Sequence, residues 1–373
     1  MRTTILTVAA CLLSVSLGAD HPAGRRESSG QSAPLVPAAC VTATEACTAW
    51  VTLGNGPGRT MVYTTHALDR RNDTIKRALI MVHGTNRNAD HYFQTATAAA
   101  FLAGVQADTI VIAPHIVTTA DKLAENEIAW PGGGDSWRAG GASPSHPGLF
   151  SFDIVDELLR KLATKSVFPN MRAIVVTGHS AGGQFATRYA MANKVHDTLA
   201  VPVTYVVANP SSYAWPDATR PTAAGDADPA AAKDGWSLMP DNPVPHTNFT
   251  YGVYDAVAKN CANYNKWPLG LENRSASYTS KQTDEQLKKQ LVARPTTFLL
   301  GQVDTLPLGG FDNSCGAMAQ GPTRRSRGEA FVKYINTTLG ADHKIQIVPE
   351  CGHNDRCMFT TDSVFPVIFP AVR

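Results

Sequence analysis

Residues Ala173 to Ala190 read AIVVTGHSAGGQFATRYA, and the fold of the whole chain turns on this stretch. Ala173 to Val176 form a short run rich in β-branched residues, the composition of a buried strand. Further on, Phe185, Ala186, Tyr189 and Ala190 recur at helical spacing. Between the two lie Gly178, His179, Ser180, Ala181 and Gly182, a G-x-S-x-G sequence in a strand, turn, helix context. Small residues are required there, because a serine on a sharp turn leaves no room for neighbouring side chains against the sheet. A hydroxyl presented in this way is a candidate nucleophile, and Ser180 is the first candidate catalytic residue.

Working outward, further short apolar runs alternate with helical patterns: Thr60 to Thr64, Ala78 to Val82, Thr109 to Ala113, Val203 to Val207, Thr297 to Leu300 and Ile345 to Val348. Such alternation predicts an α/β fold with a mostly parallel central sheet and helices on both faces. Ile154, Val155, Leu158, Leu159 and Leu162 make one helical face, with Asp153, Asp156 and Glu157 near the N-terminal end, where a helix favours negative charge. From about Pro210 to Arg294 the rhythm breaks, with one helical pattern at Glu285 to Leu291. This interval, about 210–295, reads as a cap inserted after the sixth strand.

The 373 residues are 43% hydrophobic and 17% charged, enough for one large core, and the formal charge is +2. No block of like charges marks a nucleic-acid or polybasic membrane surface, so neither partner is expected. The densest basic run, Arg324, Arg325 and Arg327, reads as the solvated start of a helix. Arg2, the apolar stretch Ile5 to Leu17 and the small residues Ser16, Gly18 and Ala19 have the three parts of a signal peptide. The expected division is a signal at 1–18, a flexible leader at 19–39 and the enzyme domain at 40–373. That places the protein outside the cell, or in the periplasm of a Gram-negative host, with no stable membrane anchor.

The chain has seven cysteines, and Cys11 leaves with the signal. In an oxidising compartment the remaining even set is expected to pair, and the close spacings favour Cys40 with Cys47 and Cys351 with Cys357, leaving Cys261 for Cys315. Asn72, Asn248, Asn273 and Asn336 stand in sequons that a eukaryotic host would glycosylate.

A second motif, His83, Gly84 and Thr85, follows the strand Ala78 to Val82 directly. With Gly178 to Gly182 it resembles the α/β-hydrolase superfamily, whose secreted esterases and lipases often place a His-Gly loop here. The resemblance runs from about Cys47 to Phe369 and implies an oxyanion hole made by the backbone N–H groups of Thr85 and Ala181. It also implies an acid after the seventh strand, where Gly301, Gln302, Val303 and Asp304 stand. Asp304 is the candidate to orient the histidine; Asp312 and Asp217 are its rivals. Asn263, Tyr264, Asn265, Trp267 and Pro268, together with Asp312 and Cys315, are similar to a group of exported microbial hydrolases.

The base is expected last in chain order, and of 11 histidines only His353 lies on a Gly-containing loop just beyond the final strand. His343, on the near side of that strand, is a poor rival. Cys351, His353 and Cys357 also allow a metal reading, but no second Cys/His cluster accompanies them, so no metal is expected. The Gly-rich loop Pro131 to Arg138 lacks the lysine of a phosphate loop, so no nucleotide cofactor is expected either. It carries Trp137 and follows Trp130 directly, and these two with His83 are candidate substrate contacts on a small or polymeric ester. The leading expectation is a secreted serine esterase with Ser180, Asp304 and His353 as triad. A secreted serine peptidase and a catalytically silent binding module on the same fold are the alternatives.

Overall fold

The computed structural model describes residues 39–133, 136–223 and 248–372. The signal, nearly all of the leader, Gly134, Asp135 and residues 224–247 of the cap lie outside the described residues.

In chain order the elements are β1 (Thr48–Thr52), β2 (Arg59–Thr64), β3 (Arg77–Val82), α1 (Ala89–Leu102), β4 (Thr109–Pro114), α2 (Asp153–Ala163), β5 (Ala173–His179), α3 (Ala181–Ala192) and β6 (Val203–Ala208). They continue with β7 (Thr219–Ala223), β8 (Thr250–Val253), α4 (Asp284–Ala293), β9 (Thr296–Gly301), α5 (Cys315–Met318), α6 (Arg324–Leu339), β10 (Lys344–Val348), α7 (Asp355–Thr360) and α8 (Phe365–Ile368). Eight strands form one sheet in the order β1-β2-β4-β3-β5-β6-β9-β10. The pairs β1–β2 and β2–β4 are antiparallel and all others parallel.

The alternation along the central strands sorts side chains into two cores. Ile80, Val82, Ile110, Ile112, Ile174 and Val176 face one side, where Ile154 and Leu158 of α2, Phe185 and Tyr189 of α3, and Phe331 and Ile335 of α6 cover them. Leu79, Met81, Val111, Val175, Leu299 and Val348 face the other, under Phe93 and Ala96 of α1 and Met358 and Phe359 of α7. Each such aliphatic or aromatic side chain contributes roughly 1.5–3 kcal/mol on burial, which is why the central strands read so clearly in the sequence.

Two departures from the sequence reading have local causes. β1 was absent from it, because this edge strand buries only Val51 and leaves Trp50 exposed, so no alternating pattern announces it. Asp156, read as a charge near the start of α2, is buried and accepts hydrogen bonds from the Tyr189 and Tyr278 hydroxyls, each at 2.7 Å. Burial pushes its carboxyl above the ordinary range.

The insertion follows β6 and carries the antiparallel hairpin β7–β8. It is bound tightly to the body. Tyr278 and Trp267 join the core beneath α3, the Trp267 indole N–H donates to the Ala139 carbonyl at 2.9 Å, and Cys261 is joined to Cys315 on the far side of β9. Arg220 of β7 is fully buried between the rings of Trp215 and Tyr264 and donates to the carbonyls of Asp217, Thr219, Tyr264 and Leu269.

Candidate active site

β5 delivers Ser180 to the carboxyl edge of the sheet, and α3 leaves from it. Between the two, Ser180 adopts φ 59° and ψ −118°, a conformation that a non-glycine residue holds only when its surroundings force it. The force is visible at the flanking glycines. A Cβ on Gly182 would stand 2.1 Å from the Val82 carbonyl oxygen, and one on Gly178 would stand 2.4 Å from the Gly182 backbone. The chain can therefore pass this close to β3 only with hydrogen at both positions.

β9 and β10 end beside the elbow, and the loops that follow them bring up two further side chains. Ser180 Oγ lies 2.9 Å from His353 Nε2, and His353 Nδ1 lies 2.8 Å from Asp304 Oδ2. Ser180 is 6% exposed, the His353 side chain 8% and Asp304 2%, so the line of hydrogen bonds is largely shielded from water. The rival carboxylates face elsewhere: Asp312 accepts from Ser212, and Asp217 from the Thr219 N–H and the Tyr334 hydroxyl.

Several groups hold these loops together. Cys351 is bonded to Cys357, closing a short loop around His353 and the first turn of α7, and Cys40 is bonded to Cys47. The bond leaves neither Cys351 nor Cys357 a thiolate for a metal. Asn209, at the end of β6, donates to the Gly352 carbonyl at 3.2 Å and accepts from the Gly301 N–H at 2.8 Å, so one fully buried amide ties the approach to His353 to the approach to Asp304. Sequence reasoning missed Asn209. Its only local signal is its position between a strand and Pro210, where its φ of 45° fits an asparagine.

His179 was quoted for its place in the motif but given no task. Its ring lies 4.5 Å from that of His353, centroid to centroid, and Nδ1 meets the Tyr92 hydroxyl at 3.2 Å. Burial, with His353 and Arg324 adding, pushes its pKa well below the ordinary histidine value, so it packs against His353 as a neutral ring tilted by 37°.

Three residues expected to touch substrate do not face the site. His83 is fully buried, with Nδ1 against the Gly84 carbonyl at 2.9 Å and Nε2 accepting from the Ile116 N–H at 3.0 Å. Both ring nitrogens are thus spent on fastening the β3 loop to the chain beyond β4, and burial pushes its pKa down to about 4. Trp137, 2% exposed, packs edge-on against the His83 ring, and Trp130 has no exposure at all. All three are core groups. Thr85 is exposed on the loop leaving β3, and Ala181 opens α3 directly after Ser180.

The basic run also sits elsewhere than expected. Arg324, Arg325 and Arg327 of α6 are fully buried, and Arg324 and Arg325 reach the acid-bearing loop itself: Arg324 Nη1 lies 3.3 Å from Asp304 Oδ1, and Arg325 Nη1 donates to the Gln302 carbonyl. Among the described residues, no helix is long and apolar enough to cross a membrane.

No family model and no curated protein sequence matches the chain. Solved structures do. LpqC, a poly(3-hydroxybutyrate) depolymerase from Bordetella parapertussis, superposes with a TM-score of 0.55 at 19% identity, covering 84% of this chain and 85% of its own. Poly(aspartic acid) hydrolase-1 from Sphingomonas sp. KT-1 superposes with a TM-score of 0.54 at 21% identity, covering 83% of this chain and 94% of its own. The strand order, the elbow at the end of β5 and the insertion after β6 together give this chain the α/β-hydrolase fold.

Proposed function

We propose that the protein is an exported serine hydrolase of carboxylic esters that works through an acyl-enzyme. The observation that carries this reading is the continuous line of hydrogen bonds from Asp304 through His353 to Ser180, at 2.8 and 2.9 Å, on a strained turn. In the proposed cycle Ser180 Oγ attacks the ester carbonyl carbon while its proton passes to His353 Nε2. The oxyanion that forms accepts from the N–H groups of Thr85 and Ala181, the second at the positive end of α3. His353 then protonates the departing alkoxide, leaving Ser180 acylated. Water, deprotonated by the same imidazole, attacks the acyl carbon; the acid leaves and Ser180 recovers its proton. Asp304 accepts from Nδ1–H throughout and offsets the charge of the imidazolium.

The three disulfides and the signal-like N-terminus support export. Exposed Val303, Leu306 and Leu308 on the acid-bearing loop support an ester with an apolar part. The fold neighbours, named for a polyester and for poly(aspartic acid), supply two polymers for assay and keep amide cleavage as the second reading. Purified protein is to be assayed on p-nitrophenyl esters, peptide anilides and both polymers, and labelled with a fluorophosphonate. Ester turnover with labelling at Ser180 is expected. Anilide turnover alone would make the protein a peptidase, and a folded protein that takes no label would make it a binding module.

A further inference from the structure

Arg324 opens α6 with no side-chain exposure. This is an unfavourable address for a cation, stripped of water and placed at the positive end of a helix. Burial lowers the pKa of its guanidinium, against the opposing pull of Asp304. A buried arginine persists when its fixed fork of donors is met, and here the acceptors fall into two groups. One is Asp304 Oδ1, at 3.3 Å from Nη1, with Ser211 Oγ at 2.8 Å from Nε. The other is a run of carbonyls: Leu308 and Gly309 accept from Nη2 at 2.5 and 3.0 Å, and Leu306 lies 3.5 Å from Nη1.

Those carbonyls belong to a strap, Leu306 to Gly310, that passes beside His353. Gly309 and Gly310 have φ of 56° and 68°. A Cβ on Gly309 would stand 2.8 Å from His353 Cδ2, and one on Gly310 would stand 3.2 Å from Thr85 Cγ2. The strap thus runs past the edge of the His353 ring to the loop of Thr85, with the Leu306 and Leu308 side chains exposed, 38% and 59%.

We propose that Arg324 is a positioning residue with two outputs: through Asp304 it orients His353, and through the strap carbonyls it fixes an apolar edge of the substrate site that selects esters with long alkyl acyl chains. The inference rests on Ser180, His353 and Asp304 working as the hydrolytic relay. Arg324 also places a permanent positive charge behind Asp304. The other groups around the relay do not offset it. His179, packed against His353 from β5, is held neutral by burial; the Tyr213 hydroxyl near Asp304 is pushed up and stays protonated. Arg327 of α6 bonds the carbonyls of Gly321, Ser211 and Asp312, and Asp355 of α7 faces His91 and Thr95 of α1.

The test compares Arg324→Gln and Arg324→Lys with the unmutated enzyme on p-nitrophenyl acetate and octanoate across pH. For Arg324→Gln, kcat on acetate is expected to fall about a hundredfold as the relay loses alignment. The acid limb of its pH–rate profile should move up by about one unit as the cation is lost. The octanoate preference should collapse. Arg324→Lys keeps a charge without the fork, so its acid limb should stay in place while the chain-length preference falls. A folded Arg324→Gln with unchanged kcat, acid limb and preference overturns the proposal. If that variant does not fold, Ser211→Ala, which removes the Nε acceptor, decides in its place: a lower octanoate preference supports the coupling, and unchanged kinetics overturn it. Loss of the underlying relay reading is separately visible as ester turnover that survives Ser180→Ala.

Discussion

Two short segments border the same edge of the sheet and follow opposite rules. The elbow, Gly178 to Gly183, is governed by contacts that any occupant of the turn must make. A Cβ on Gly182 meets a carbonyl of β3, and one on Gly183 meets the Ala208 carbonyl of β6 at 2.5 Å. Those demands fall on the segment's own residues, so its sequence states them. The start of α6, Thr323 to Arg327, looks like surface, with three arginines in four positions. Yet Arg324, Arg325 and Arg327 are buried, because acceptors reach them from Asp304, Gln302, Ser211 and Asp312 as well as from nearby Gly321 and Glu329. Whether a charge run is buried thus depends on partners that a local window contains only in part.

If the elbow is the chemical centre, the largest effect in the molecule belongs to Ser180→Ala. Turnover should fall by about a millionfold and fluorophosphonate labelling should vanish, with the melting temperature nearly unchanged. Substantial residual turnover would place the nucleophile elsewhere. Next comes Asp304→Asn, expected to lower kcat by about ten-thousandfold, while Asp312→Asn, which faces Ser212, has a weak effect. The reverse ranking would move the acid to Asp312 and detach the Arg324 cluster from the chemistry.

What was legible follows the same division. The parallel sheet could be read because β3, β4, β5, β6, β9 and β10 are apolar runs, most of them buried on both faces; Ser180 was singled out by the glycines two positions to either side of it, and His353 by Gly352 on the loop beyond β10. Val51 alone could not announce β1, and Asn209 carries no motif although it bonds the two loops that bear His353 and Asp304. His83, Trp130 and Trp137, read as substrate contacts, are buried. Sequence adjacency to a catalytic loop does not say whether a ring points out to substrate or down into the core. Asp156 failed for the reason the arginines did: its partners Tyr189 and Tyr278 lie on another helix and in the insertion.

The loop around His353 offers an intermediate case, a local covalent constraint with a remote purpose. Cys357→Ser opens the Cys351–Cys357 bond, whose short loop gives less chain-entropy stabilisation than the roughly 3 kcal/mol of a fifteen-residue one. Turnover is expected to fall by up to about a hundredfold as His353 loses its place, with a fall of only a few degrees in melting temperature. A large thermal effect with unchanged kcat would show that the bond serves the fold. Arg327→Met then probes the α6 start directly. The buried carbonyls of Gly321, Ser211 and Asp312 lose their donor, so the variant should lose about 1–3 kcal/mol of stability in urea titration. A solvated arginine would change stability by no more than about 0.5 kcal/mol, and that outcome would remove the contrast with the elbow.

The smallest effect concerns His83, where the two rules meet: a motif residue beside the elbow whose partners turn out to be internal. Its pKa in the fold is pushed down to about 4 by burial, against an ordinary 6.5. Between those values the unfolded chain binds a proton that the folded chain refuses, so folding stability rises with pH across this window and is lost as pH falls through it. The slope that one such group contributes is at most about 1.4 kcal/mol per pH unit. Burial lowers the pKa of His179 as well, which gives a slope of the same sign, so only a difference between variants isolates His83. His83→Gln keeps an acceptor for the Ile116 N–H and does not titrate. At pH 8 the variant should be less stable by about 1 kcal/mol, having lost the ring's hydrogen bond to Gly84. On acidification it should lose stability more slowly than the unmutated protein, so that the two curves meet at about pH 5.9 and cross below it. Parallel curves from pH 8 to pH 4.5 would mean that His83 titrates freely in the fold, and its reading as a pin between the β3 loop and the chain beyond β4 would be lost.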